Sequence, residues 1–460
     1  MKNTFRGRKT ELAILENKFK QDGFVMTVVY GRRRIGKTRL INKFINDHNC
    51  RSISFTAVER GEAELLSMMS ESVLNALSPE LIGSVSFNSF ENLFDFVSKQ
   101  AEKERIIFFI DEYPYLAKQC PYIQSVLQKQ IDTKWKRGNL FFIICGSLLG
   151  FMKDEVLSES APLHGRSDLE LKLRPFNYVE TAEFLNGYTN EEKAICYGLT
   201  NGVAKYIEQF DVEKPLEQNI VEQFYTIGGY FSEEQVKTVI TSDKQNPALY
   251  NSIISAVATG HTKNSEIASF TGIEDITYAL KVLVKAELLE KRFAKRPYYV
   301  LNDSMLEFWF RYVNRATSLI NANNGEVYYY STVKDHLHDF MGKVFEKMAK
   351  EYLMIHAGKD DLPILTEITD YQDTVLDSDK KVKQIEIDLL GKNGRNIVLI
   401  GECKFKNAQF DKTEYEKFMD KIKYVPTDNP TLCLFSLGGF SQYVKENAKR
   451  CRLITLDDMY

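Results

Sequence analysis

Residues 24–38 read FVMTVVYGRRRIGKT. The first seven form an unbroken apolar and β-branched run, which predicts a strand covered on both faces. A glycine ends it, and residues 31–38 fit GxxxxGK[ST] in full. Residues 36–46 then put Leu40, Ile41, Phe44 and Ile45 on one helical face. Strand, glycine loop and helix is the setting in which such a loop cradles phosphate. Backbone N–H groups of Gly31, Arg32, Arg33, Arg34, Ile35 and Gly36 can curl around the anion. Lys37 neutralises the β/γ charge, the Thr38 hydroxyl can reach Mg²⁺, and the helix N-terminus adds partial positive charge. The expected cofactors are ATP and Mg²⁺.

The pattern continues outward. Strands are expected at 51–57, 105–111 and 139–146, alternating with helical stretches that reach about residue 103 and then cover 121–135. A further strand is expected at 169–175 and a helical region at 177–228. Continuous apolar strands alternating with helices predict a parallel sheet in an α/β domain. Asp111 closes the third strand and Glu112 follows. An Asp there can hold Mg²⁺ through water, and the next Glu can serve as general base. The competing reading is a pair of helix-capping acids.

At about 150 residues per domain, 460 residues suggest roughly three domains. Lys plus Arg is 60 and Asp plus Glu 63, a net charge of −3, so any basic surface for nucleic acid must be local. The N-terminus is charged at once and lacks an apolar signal core. The longest apolar stretch, 140–152, falls short of the about 20 residues a membrane span needs. Seven scattered cysteines with no CxxC argue for reduced thiols. A cytoplasmic protein with no membrane partner is expected.

The order of phosphate loop, strand, IIFFIDEYPYL and FFIICGS resembles the AAA-like and STAND-like P-loop ATPases, and more narrowly the archaeal-type ATPase family. FRGRKTEL at 5–12 resembles that family's N-terminal box, which implies that Phe5, Gly7 and Arg8 lie against the nucleotide base. The resemblance makes Ser147 a polar sensor for the γ-phosphate and Arg166, in PLHGR, an arginine finger in cis or in trans. The family's T-G-G-x-P-x-Y turn resembles TNGVAKYIE at 200–208, with Asn201 and Ala204 as departures, which weakens a lid role for Lys205 and Tyr206. The family usually carries a C-terminal domain of unknown function.

Near residue 230 the texture changes. Helical patterns at 247–258, 263–271 and 274–286 precede two strand-like pieces, LLEKRFA and RPYYVLND, and Gly272 marks the turn. Three helices and a hairpin predict a winged helix-turn-helix. The candidate recognition helix is neutral, whereas Lys291, Arg292, Lys295 and Arg296 make a basic wing. The wing could contact DNA phosphates without sequence choice, or dock within the chain. Residues 318–330 read as a junction.

The last unit starts with a helix at 335–356, followed by strands at 362–367, 384–391, 396–403 and 431–436. Glu346 lies on the helix, Asp388 on QIEIDLL, and Glu402 and Lys404 end IVLIGECK. This order resembles the PD-(D/E)xK nucleases, a restriction-endonuclease-like mixed α/β fold. Asp388 and Glu402, supported by Glu346, could share a metal ion, and Lys404 could orient or deprotonate a water. A solvated charged hairpin face or a binding-only fold would leave the same pattern.

The expected organisation is a P-loop ATPase domain at 1–230, a winged helix at 231–313 and a nuclease-like domain at 314–460. The expected function is an ATP-hydrolysing switch coupled to a metal-dependent effector acting on nucleic acid, possible also as a homo-oligomer. One alternative is an ATP-dependent DNA-binding or scaffold regulator with an inactive C-terminal domain. The other is an ATPase whose C-terminal domain binds a protein partner.

Overall fold

In the computed structural model the described residues are 5–232, 246–293, 297–376 and 382–460. The chain divides into two compact units, Met1–Pro175 and Phe176–Tyr460.

The first unit runs α1 (Lys9–Phe19), β1 (Val25–Tyr30), α2 (Lys37–Asn46), β2 (Arg51–Thr56), α3 (Glu62–Leu77), α4 (Phe90–Ala101), β3 (Ile106–Asp111), α5 (Tyr113–Gln119), α6 (Ile123–Thr133), β4 (Leu140–Gly146), a short α7 (Leu149–Phe151) and β5 (Leu169–Lys172). Its five strands are all parallel in the order β2-β3-β4-β1-β5. β3 and β4 are buried along their whole length and β1 along nearly all of its own, as their apolar runs require. Phe94, Phe108, Trp135 and Phe142 pack with ring centroids 5.0 to 6.3 Å apart and fix α4 and the turn that follows α6 on one sheet face. Tyr30 pairs with Gly146 and Ile110 with Ile144. The carboxyl ends of β1, β3 and β4 therefore open on one edge, where ligands bind in parallel α/β sheets.

The second unit begins with four helices, α8 (Tyr178–Ala182), α9 (Asn190–Thr200), α10 (Ala204–Ile207) and α11 (Leu216–Phe224). Gly202, between α9 and α10, has φ +68, and a Cβ there would overlap the Phe176 carbonyl. Both facts require glycine. Three helices follow, α12 (Pro247–Ala258), α13 (Asn264–Thr271) and α14 (Thr277–Lys285), then the antiparallel hairpin β6 (Leu289–Phe293) and β7 (Pro297–Leu301). Gly272 caps α13 at φ +70, as expected for the turn.

Residues expected as a junction are helical instead. α15 (Ser304–Phe308), α16 (Thr317–Asn321) and α17 (Gly325–Tyr328) lead to α18 (Leu337–Ile355). The polar run NANNG hid α16 and α17, which bury only Ile320 and Gly325 respectively. α18 buries Phe340, Met341, Val344, Phe345 and Met348 on one face. Beyond it lie β8 (Glu367–Leu376), β9 (Val382–Asn393), β10 (Asn396–Lys404), α19 (Lys412–Ile422), β11 (Thr431–Ser436), α20 (Gln442–Asn447) and β12 (Cys451–Thr455). The sheet order is β12-β11-β10-β9-β8. β8, β9 and β10 are antiparallel neighbours, whereas β10, β11 and β12 are parallel. β8 starts where the expected strand 362–367 ends, and β12 was not expected.

Candidate functional site

At the carboxyl edge of the first sheet, Gly36 caps α2 at φ +94, a conformation that favours glycine. Lys37 is buried, and its Nζ donates to the carbonyls of Gly31 and Arg32 at 3.0 Å each. The loop thus wraps its own ammonium group. Thr38 Oγ1 donates to Asp111 Oδ2 at 2.6 Å, and Asp111 Oδ1 accepts the Glu112 N–H at 2.9 Å. Glu112 sits in the left-handed region at φ 49, and Ser147 Oγ donates to its Oε2 at 2.7 Å. Four sequence-predicted residues, from three strand ends, thus form two linked pairs beside the loop. The Thr38 hydroxyl and the Asp111 carboxylate are hard oxygen donors, the type Mg²⁺ takes.

Two predicted residues have other partners. Arg8 is buried beneath the loop, where NH2 donates to the Ile35 carbonyl at 3.0 Å and NH1 pairs with Glu11 at 3.0 Å. It braces the loop from behind. Arg166 forms a forked pair with Asp132, with NH2 at 2.7 Å and Nε at 3.2 Å, while NH1 donates to the Pro162 and His164 carbonyls. That hydrogen bond holds the Asp132 carboxyl below its ordinary range. Arg33 reaches the Tyr115 hydroxyl at 2.5 Å.

In the second unit the β9–β10 register pairs Leu389 with Gly401, which brings Asp388 alongside Glu402. Asp388 Oδ2 accepts the Cys403 N–H at 2.8 Å. Glu402 is only 5% exposed. Its carboxylate accepts from Lys404 Nζ at 2.8 Å and from Lys421 Nζ at 2.8 and 3.0 Å. Burial, then the nearby Glu402 charge, pushes Asp388 up to about 6. Burial, then Asp388, pushes Glu346 up to about 7. Burial pulls Lys404 down, but Glu402 outweighs it and leaves the ammonium above its ordinary value. The donors are again hard oxygens. Among the described residues, however, no three His, Cys, Asp or Glu side chains converge on one metal-sized point.

Glu346, Asp388 and Lys421 border a cleft of about 2070 Å³, whose other wall includes Arg292 and Tyr298 of the hairpin. Arg292 NH1 pairs with Asp370 on β8 at 2.8 Å, and Lys350 approaches the same carboxylate at 3.6 Å. The wing arginine is therefore docked within the chain. Lys295 and Arg296 lie outside the described residues. Asn201 takes φ 50, which Asn tolerates, and its Oδ1 accepts from Lys347 at 2.8 Å. Tyr206 is core, packed on Phe231, and Lys205 pairs with Glu208 at 3.6 Å.

Residues 5–210 match the family model of an ATPase domain found predominantly in Archaea. The N-terminal part of the chain is therefore similar to a P-loop ATPase domain. Residues 309–417 match a second model, of archaeal and bacterial proteins of unknown function. An uncharacterised protein of Methanocaldococcus jannaschii is 27% identical over 458 residues, 95% of this chain and 100% of that one. An uncharacterised ATP-binding protein of the same archaeon is 42% identical over 50 residues, 11% of this chain and 85% of that one. Among solved structures, the Walker-type ATPase of Pyrococcus abyssi is similar in fold, with TM-score 0.53 and 20% identity over 67% of this chain and 96% of that one. No helix among the described residues is long and apolar enough to cross a membrane.

Sequence reasoning missed Glu11 beneath the ATPase loop and Lys421 on Glu402. Lys421 stands three residues after Phe418, the buried residue of α19, so a lysine on the inward face was the available signal.

Two tests follow from this geometry. Lys37→Ala removes the charge that the loop is built around, so ATP affinity should fall at least about tenfold in calorimetry, with equal binding contradicting the role. The second test concerns Glu346, whose folded-state value lies above its unfolded one. Its contribution is thus fully present below about pH 4.5 and lost as pH rises through about 7. Without divalent ions, Glu346→Gln should melt higher than wild type at pH 8 by a few degrees, roughly what 1–2 kcal/mol gives, and not at pH 4.5. Equal differences at both pH values would contradict this.

Proposed function

We propose that the chain is an ATP-binding and ATP-hydrolysing switch coupled to a metal-dependent, nuclease-like effector that acts on nucleic acid. The observation that carries the switch is the pair of contacts Thr38–Asp111 and Glu112–Ser147 beside the phosphate loop. In this reading the loop amides and Lys37 bind the β/γ-phosphates. Glu112 takes the proton of the attacking water, and Ser147 orients that carboxylate. Thr38 and Asp111 would hold Mg²⁺, which supplies charge neutralisation to the transferring phosphoryl group. Arg8 supports the loop through the Ile35 carbonyl. Arg166 would act as a finger only after leaving Asp132.

The effector reading rests on one arrangement. A helix, three antiparallel strands, a helix and a parallel strand carry Glu346, Asp388, Glu402 and Lys404 in the order of a restriction-endonuclease-like fold, with Asp388 alongside Glu402. Asp388, Glu402 and Glu346 would hold the metal, and Lys404 would orient the water. The three helices and hairpin at 247–301 read as a winged helix, and the domain bounds 1–230, 231–313 and 314–460 follow from these assignments. A second reading has its own support. With two lysines on Glu402 and Arg292 held by Asp370, the C-terminal domain could bind DNA or a protein under ATP control without cutting.

Incubation with supercoiled plasmid, linear DNA and RNA, plus Mg²⁺ or Mn²⁺, with and without ATP, separates the two. Cleavage by wild type that vanishes in Asp388→Asn and Glu402→Gln is expected. No cleavage of any substrate, with ATP hydrolysis intact, would overturn the effector assignment in favour of the regulator.

A further inference from the structure

The cations around the phosphate loop differ in what they are already bound to. Arg8 is buried beneath the loop and paired with Glu11, and Lys37 donates to the loop's own carbonyls. Arg166, the arginine expected as a finger, is forked onto Asp132 and donates to two further carbonyls. To act on a phosphate it would have to give up all of these. Arg33 is exposed, and its partner among the described residues is uncharged, the Tyr115 hydroxyl at 2.5 Å. A carboxylate partner would neutralise the guanidinium, whereas a phenol holds it in place and leaves its charge unspent.

Tyr115 also shows which part of the site Arg33 is held to. It stands in the first turn of α5, whose N-cap is Glu112, and its N–H donates to the Glu112 carbonyl at 2.9 Å. Loop and turn are thus bridged at two points, Thr38–Asp111 and Arg33–Tyr115. If the loop amides hold the phosphates and Glu112 activates the water, the transferring phosphoryl group has to lie between loop and turn. A planar guanidinium with five donors suits the equatorial oxygens over which charge spreads as that group moves.

We propose that Arg33 is the arginine finger of this site and acts in cis, with Tyr115 as the positioning residue that holds it to the Glu112 turn. The water oxygen bonds to the γ-phosphorus, the bond to the β-phosphate oxygen breaks, Glu112 takes the proton, and ADP and phosphate leave. Arg33 keeps its protons throughout and stabilises the charge on the moving group. This inference rests on the ATPase reading of the same site.

Single-turnover phosphate release and ADP calorimetry on the full chain in Mg²⁺ test it, with Arg33→Ala, Arg33→Lys, Tyr115→Phe and the double variant Arg33→Ala with Tyr115→Phe. Arg33→Ala should slow release by ~10²-fold or more, the scale of a lost transition-state donor, with ADP affinity within about twofold of wild type. Arg33→Lys keeps the charge and loses the fork, so its rate should fall between the two. Tyr115→Phe keeps the ring and loses the hydroxyl, and should slow release roughly tenfold with ADP affinity unchanged. The double variant should be no slower than Arg33→Ala, because a hydroxyl that acts through Arg33 adds nothing once Arg33 is gone. A merely structural role predicts weaker ADP binding in each variant and effects that multiply in the double. Release by Arg33→Ala within about threefold of wild type overturns the proposal and leaves the ATPase reading standing. So does ADP affinity that falls in step with the rate. Activity recovered by mixing Arg33→Ala with Lys37→Ala would place the cation on a second copy, and it overturns the proposal in the same way. Wild-type protein that releases no phosphate overturns both.

Discussion

The first unit depends on parallel register. Five strands running the same way deliver their carboxyl ends to one edge, and chemistry follows from which residues stand there. β1 delivers the glycine loop, β3 delivers Asp111 and Glu112, and β4 delivers Gly146 and then Ser147. None of these is close in sequence to the others. The contacts Thr38–Asp111 and Ser147–Glu112 exist because β3 lies beside β4 and β4 beside β1. A one-residue slip in β3 would take Phe108 out of its cluster with Phe94, Trp135 and Phe142 and Asp111 away from Thr38. The register is held by complete burial, since Phe108, Ile110, Phe142 and Ile144 have no exposed alternative.

The second sheet solves a different problem. Its central strands bring carboxylates together in a setting that resists charge. An unpaired buried carboxylate is costly, and the fold answers unevenly. Glu402 receives two ammonium groups. Asp388 receives a backbone N–H, and burial still pushes it upward. Glu346 is pushed further. Displaced carboxyl groups of this kind mark functional sites more often than structural ones, because a fold with no use for them could replace them with apolar residues.

The sequence was informative wherever one local pattern carried the signal. Residues 24–38 announce a strand, a phosphate loop and a helix within one short window, and FFID–Glu112 announces the matching strand end. The E-x-K triplet and Asp388 were visible for the same reason. Partners supplied by distant elements were not. Lys421 reaches Glu402 across 19 residues, Arg292 reaches Asp370 across 78, and Asp132 reaches Arg166 across 34. Side-chain type alone cannot reveal such pairs, because charged residues are ordinary on any surface. The 318–330 region misled for a related reason. Its helices α16 and α17 bury one residue each, so no period of 3.6 builds up across the polar NANNG run.

The account stands most directly on Glu112 as the residue that activates water while Asp111 and Thr38 serve the metal. Single-turnover release of phosphate from bound ATP by Glu112→Gln measures that claim alone, since the substitution keeps the size and a hydrogen-bonding oxygen while removing the base. The account predicts that ATP remains bound and release slows by ~10²-fold or more. Release as fast as in wild type would contradict it.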